Sequence, residues 1–392
     1  MPLPLAGITV VSLEQAIAAP FASRQLADLG ARVIKIERPG PGDFARAYDS
    51  RVKGMASHFA WVNRSKESLT LDLKQADARR ILNELLASAD VFIQNLAPGA
   101  CDRMGLDFAT LHRVHPSLIV CDISGYGEGG PYERRKAYDL LVQAESGFLS
   151  VTGDDNDVAK AGCSIADISA GMYAYSGILA ALLERKNTGL GTRVEVSMLE
   201  SMVEWMGFPM YYAYDGASPP TRSGASHATI YPYGPFRNKS GETVILGIQN
   251  EREWAIFCEH VVLNASLASN PLFCTNSLRH EHRGALESII LNAFAELSLD
   301  QIVERLDTAN IANAKLNDMQ GVWDHPQLKA RKRWRTVETP QGPIEALLPP
   351  AVDALEPRMD PIPAVGEHVD KILDELGYTA SEIKLMRATG SV

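Results

Sequence analysis

The chain has 392 residues, enough for about two domains that each bury a core. A net charge of -10 with no basic tail argues against nucleic acid and membrane surfaces as partners. No apolar run reads as long enough to span a bilayer, and the opening Met1-Pro2-Leu3-Pro4-Leu5 lacks a basic signal-peptide start, so the expected compartment is the cytoplasm.

Residues 7–13 read as a buried strand. A short helix runs to Leu29, with Pro20 in its first turn and Gly30 as its stop signal. Strands are expected over 33–37, 68–74, 91–95 and 118–123, with a helix over 77–88 led by an acidic residue. Buried strands alternating with helices imply an α/β fold with a mainly parallel sheet covered on both faces. The pattern changes after Met198. Pro219-Pro220 and Ser223-Gly224 read as part of a linker over 201–225, which ends a large domain over 1–200. A smaller α+β domain over 226–320 follows. It has strands at 231–236 and 243–247 around the turn Lys239-Ser240-Gly241, then helices to about residue 307. The remainder, 321–392, is a proline-rich linker and a C-terminal segment, closed by a final helix at 367–376 that ends at Gly377.

Familiar motifs are missing. The first strand leads into Glu14-Gln15-Ala16-Ile17-Ala18-Ala19-Pro20 rather than a glycine-rich dinucleotide loop, and neither a Walker A loop nor a GxSxG elbow occurs. The five cysteines (Cys101, Cys121, Cys163, Cys258, Cys274) form no CxxC pairs, so neither a zinc site nor a disulfide framework is expected. His280-Glu281-His282 is too tightly spaced for a helical metal face. No metal is expected.

Ligands of open α/β sheets bind beyond the carboxyl ends of the strands. This acidic chain repeatedly places cations and one amide there: Arg38 after the second strand, Lys74 after the third, and Asn95 with nearby Arg103 after the fourth. The fifth leads into a glycine-rich loop, then Arg134, Arg135 and Lys136. Together they form the footprint expected for a phosphate-bearing small molecule, although any one of them also reads as a solvated surface charge.

Asp167 stands at the mouth of a long helix pattern rich in small and apolar residues. A carboxylate there is favoured by free N–H groups and the helix dipole, so it serves either as an N-cap or as a nucleophile. The neighbouring Cys163 reads as a buried, reduced cysteine, or as a reactive thiol if a base lies close.

The motifs Leu5-Ala6-Gly7-Ile8, Asp28-Leu29-Gly30-Ala31, Val33-Ile34-Lys35-Ile36-Glu37-Arg38-Pro39, Gly42-Asp43, Asn63-Arg64-Ser65-Lys66, Asn95-Leu96-Ala97-Pro98-Gly99, Gly125-Tyr126-Gly127, Lys136-Ala137-Tyr138-Asp139 and Thr188-Gly189-Leu190-Gly191 occur in order. In these the chain resembles the family III CoA-transferases (the CaiB/BaiF type), which include formyl-CoA transferase. The resemblance implies a Rossmann-like large domain, a smaller domain, a C-terminal segment returning to the large domain, and an interlocked, ring-like homodimer. It places Asp167 on the catalytic aspartate, and Arg38, Leu71, Lys74, Asn95, Arg103, Lys136 and Tyr138 around coenzyme A. Ile17, Tyr48 and His227 fall near the acid substrate. Acyl-CoA and a carboxylic acid are the implied substrates, with no tightly bound cofactor.

The implied reaction passes through an aspartyl anhydride and an aspartyl-CoA thioester. Backbone N–H groups at the helix start are expected to stabilise the oxyanions, an effect of about 3 kcal/mol per donor. The racemase branch of the family needs an acid–base pair, and as its pattern reads, a histidine stands where this chain has Tyr138; tyrosine is a poor base at neutral pH, so transfer is favoured over racemisation. A coenzyme A-binding protein without turnover is the remaining alternative. The pattern His227-Ala228-Thr229-Ile230-Tyr231-Pro232-Tyr233, with Ile17 where formyl-CoA transferase has glutamine, points away from formyl-CoA and oxalate. It points toward larger dicarboxylates such as glutarate, succinate, mesaconate, itaconate or malate. The alternative for His227 is a turn histidine bonded to backbone.

Overall fold

Six strands, β1 (Thr9–Leu13), β2 (Arg32–Glu37), β3 (Lys66–Thr70), β4 (Val91–Gln94), β5 (Ile119–Ser124) and β6 (Arg193–Ser197), pair in parallel throughout, in the order β3-β2-β1-β4-β5-β6. This computed structural model describes residues 2–350 and 355–392; Met1 of the opening segment and residues 351–354 of the proline-rich stretch lie outside them. The helices up to residue 205 are α1 (Ala18–Asp28), α2 (Ser57–Val62), α3 (Ala76–Ser88), α4 (Ala100–Met104), α5 (Phe108–Val114), α6 (Asp139–Glu145), α7 (Phe148–Val151), α8 (Ile165–Thr188) and α9 (Met198–Trp205).

Alternate strand residues face opposite ways. Val10, Val33, Val91, Ile93 and Ile119 pack with α1 and α8, whereas Val11, Ile34, Phe92 and Val120 pack with α3. The second of these layers also takes in the helix Val369–Glu375. The third strand begins at Lys66 rather than at residue 68 and ends before Leu71. Its polar start is buried because Lys66 pairs with Glu14.

Several elements were not expected, among them β6 at the edge of the parallel sheet. The helix at 367–376, observed as Val369–Glu375, is not the last: Ala380–Thr389 follows, opened by a Thr379/Glu382 capping box and closed by Gly390. The proline-rich stretch also holds an antiparallel hairpin, Trp334–Val337 with Ile344–Leu347.

The statement that no segment is long and apolar enough to span a bilayer needs correction. Ile165–Thr188 passes by length and composition, with a mean hydropathy of 1.3. Its apolarity has a local reason, since Ala166, Ala170, Ala174 and Ile178 sit in the core beside α1.

The chain divides into two compact units. The first comprises residues 1–148, 161–207 and 328–392 and holds the parallel sheet. Within it, Arg358 donates to the carbonyls of Gly30 and Ala31, which fastens the C-terminal segment to the turn after α1. The second comprises residues 149–160 and 208–327. It has an antiparallel sheet of Tyr233–Arg237, Thr243–Gly247 and Asn313–Lys315, packed on a core that includes Trp254, Phe257, Leu286 and Phe294.

Candidate active site

The strand order reverses between β1 and β4, and in doubly wound sheets ligands bind beyond the strand ends at such a point. The loop leaving β1 is fastened there from two sides. Asn95, just after β4, accepts from the Gln15 N–H and donates to the Gln15 carbonyl, both at 2.9 Å. Asp43 accepts from the Ala16 N–H at 3.1 Å, and Ala16 holds a left-handed φ of 60°. Arg38 reaches the Gln15 side chain at 3.4 Å.

Beneath this loop lies a fully buried charge network. Glu14 contacts Lys66 at 2.6 Å and Lys35 at 3.3 Å, and Lys35 contacts Asp43 at 2.7 Å. Burial alone would raise the Glu14 carboxyl, but the Lys66 and Lys35 charges bring it down to about 2.

Asp167 lies in the first turn of α8 and is not its cap. Ser164 occupies the N-cap position without a side-chain cap bond. The capping carboxylate comes from another helix: Asp139 Oδ1, at the start of α6, accepts from the N–H groups of Ala166 at 2.8 Å and Asp167 at 3.2 Å. Gln143 holds the other oxygen of Asp139 at 2.6 Å. The Asp167 carboxylate therefore keeps its oxygens for other uses, with no hydrogen-bond or ion-pair partner among the described residues. Burial, and then the Asp139 charge, push its carboxyl up to about 7.

The expectation that N–H groups at this helix start stabilise oxyanions does not hold. Ile165 and Ile168 donate to the carbonyls of Cys163 and Ser164, and Asp139 takes the other two. Oxyanion donors have to come from elsewhere.

Tyr48 is within electrostatic reach of both Asp167 and Tyr138; burial first, and then neighbouring anions, raise its phenol. Half of Tyr48 and most of Tyr138 are open to solvent. Ile17 is buried and leads α1 into contact with α8, where Gly171 passes close to Ala18. Lys136 is exposed; a Cβ on Gly125 would overlap that of Ala137, so only glycine lets the segment that carries it approach the β5 end.

Arg38 and Lys74 are exposed just beyond β2 and β3, and Arg103 is exposed in α4 after β4. Leu71 differs from a ligand-lining side chain: it is 2% exposed, packs in the core, and its N–H continues the ladder to the Glu37 carbonyl. Only its backbone reaches the sheet edge. His227 belongs to the second unit, and its Nδ1 accepts from the N–H groups of Thr229 and Ile230 at 3.1 Å while the ring stacks on Tyr233. This is the turn-histidine role.

Cys163 is exposed rather than buried. His280 bonds the Ala228 carbonyl, and no cluster of metal-ligating side chains occurs among the described residues. Sequence reasoning missed Asp139 and the Glu14–Lys35–Lys66–Asp43 network. Their signal was charge inside strand patterns and beside motif residues.

The model of the family described as CoA-transferase family III matches residues 5–369. The chain is similar to a Homo sapiens succinyl-CoA:glutarate CoA-transferase, 32% identical over 95% of this chain and 86% of the relative. It is equally similar, at 32%, to a succinate–glutarate CoA-transferase of Agrobacterium fabrum, over 95% of this chain and 96% of the relative. An acetyl-CoA:oxalate CoA-transferase of Acetobacter aceti is 32% identical over 84% of each chain. Among solved structures, a CaiB/BaiF family protein from Brucella suis superposes with a TM-score of 0.85 at 31% identity, covering 96% of this chain and all of that one.

Proposed function

This chain belongs to CoA-transferase family III, and from that premise we propose that it moves coenzyme A from an acyl-CoA to a small dicarboxylate, with Asp167 as the nucleophile. The observation that carries this reading is the transfer of the capping duty to Asp139, which leaves the Asp167 carboxylate without a partner among the described residues and within electrostatic reach of Tyr48. A carboxylate whose proton affinity is raised toward neutrality is a stronger nucleophile than an ordinary one, and still ionises at working pH.

The electron flow closes on itself. An Asp167 oxygen attacks the thioester carbonyl, the C–S bond breaks, and coenzyme A leaves as thiolate. The thiolate attacks the aspartyl carbonyl of the mixed anhydride, which breaks its bond to the bridging oxygen and frees the donor acid as a carboxylate. The aspartyl thioester is then attacked by the acceptor carboxylate, expelling the thiolate and forming a second anhydride. Return of the thiolate to the acceptor's acyl carbon yields the new acyl-CoA and restores Asp167. No net proton or redox change occurs.

In this reading Arg38, Lys74, Arg103 and Lys136 meet the phosphates. Asn95 holds the β1 loop, Leu71 contributes backbone, and Tyr138 flanks the thioester end. Tyr48 and Ile17 border the acid. The dicarboxylate class is supported by relatives named for glutarate and malate. We also propose an interlocked homodimer, which would cover the exposed Phe208, Met210, Tyr211 and Tyr214.

The test is exchange between succinyl-CoA or acetyl-CoA and a panel of dicarboxylic acids, read by mass spectrometry. Asp167→Ala should bind acyl-CoA and transfer nothing. Hydroxylamine trapping on another residue would overturn the nucleophile assignment.

A further inference from the structure

The two oxygens of Asp139 are committed in opposite directions. Oδ1 takes the Ala166 and Asp167 N–H groups, and Oδ2 takes the Gln143 amide, whose own carbonyl oxygen accepts from the Ala161 N–H. Gln143 is fully buried. One chain of hydrogen bonds thus joins α6, the segment before α8, and the first turn of α8.

We propose that Asp139 is the positioning residue of the active site: it caps α8 from a neighbouring helix, fixes the Asp167 backbone, and keeps a second negative charge against the reacting carboxylate. This rests on Asp167 being the nucleophile.

The charge has a direction of action. Two anions in a partly desolvated site repel, so the free carboxylate is raised in energy. Acylation of Asp167 turns it into a neutral anhydride or thioester and relieves the repulsion. Asp139 therefore favours covalent adducts over free enzyme, and holds the nucleophile basic until it reacts. The upward push on the Asp167 carboxyl agrees with this arrangement.

The other groups around Asp167 do not cancel the effect. The Tyr48 phenol is held further from ionisation by burial and by neighbouring anions. From α1, Ala18 and Phe21 face the first turns of α8, and the Arg24–Asp28 pair lies against Tyr175 further along. Glu200 of α9 is engaged by Ser197, and Asp122 of β5 and Glu195 of β6 pair with Arg193.

The experiment compares Asp139→Asn, Asp139→Ser and Asp139→Glu with the parent enzyme. It reads the pH midpoint of kcat/KM and the yield of hydroxylamine-trapped adduct at fixed acyl-CoA. Both neutral variants should lower the midpoint by about one pH unit and cut the trapped adduct about tenfold. Asp139→Glu should keep the midpoint even where kcat falls, which a purely structural cap would not predict. The serine variant carries the test if the asparagine variant does not fold, because its hydroxyl also caps. An unchanged midpoint in a folded neutral variant overturns the proposal. Retained transfer in Asp167→Ala overturns instead the reading on which it rests.

Discussion

A Cβ added to Gly171 would stand 2.7 Å from the Ala18 carbonyl oxygen and 2.9 Å from the Phe21 ring. This approach sets the spacing of α1 and α8, and with it the distance from the β1 loop to Asp167, one helical turn before Gly171. Gly171→Ala must push backbone rather than a flexible side chain. The expected cost is about 1–3 kcal/mol of stability, together with a fall in kcat larger than any change in KM for acyl-CoA. Chemical denaturation and steady-state kinetics check both; a variant with parental stability would show that the helices separate freely.

Burial, and then the Asp139 charge, push the Asp167 carboxyl up to about 7 in the folded chain from an ordinary value of 3.8. An acid whose folded pKa is raised binds its proton more tightly when folded, so stability falls as pH rises from about 4 to about 7 and is level above that. Asp167→Asn lacks this penalty. It should gain stability relative to the parent across that window, reaching roughly 2 kcal/mol at pH 8 after allowance for solvent screening. Thermal melts of both proteins at several pH values measure the difference. A constant difference from pH 4 to pH 8 would contradict the raised value.

Of the features above, those set by local pattern were legible in the sequence. Runs such as Val10-Val11 and Val91-Phe92-Ile93 announced the strands because they are buried on both faces. The strand-end cations were legible because the ends of parallel strands are where a ligand sits. What stayed hidden depends on distant partners. Lys66 looks like a loop residue until Glu14, fifty-two positions away, neutralises it. Asp167 looks like a cap until Asp139, twenty-eight positions earlier, is seen to do that work. The helix Ala380–Thr389 was missed despite its Thr379/Glu382 capping box, a signal that was there to read.

Arg38 is exposed, and among the described residues its side chain hydrogen-bonds only Gln15, at 3.4 Å. Its removal should cost little stability. As a phosphate contact made equally in ground and transition states, it should raise KM for acyl-CoA about tenfold in Arg38→Ala, with kcat nearly unchanged and KM for the acid unaffected. Lys136→Ala should behave alike, with a steeper loss at low salt than at high salt. A fall in kcat at constant KM in either variant would remove these residues from the coenzyme site.

Glu14 is the anion that keeps Lys66 and Lys35 tolerable in the interior. Glu14→Gln leaves buried Lys35 with Asp43 and Glu37 and buried Lys66 with Asp43 as the remaining nearby anions, and should destabilise the fold by about 3–5 kcal/mol. The pH dependence has a fixed sign. The folded Glu14 carboxyl lies near 2 and the ordinary value is 4.5, so its contribution is present above about pH 4.5 and is lost as pH falls toward 2. Acid unfolding of the parent should therefore steepen over that interval, and Glu14→Gln should lack this component. Glu14→Gln,Lys66→Met removes one buried charge of each sign, and should recover much of the loss because an apolar pair needs no compensation. If the double variant stays as unstable as the single one, the cost lies in the lost bonds to Ser12 and Ser23 rather than in unpaired charge.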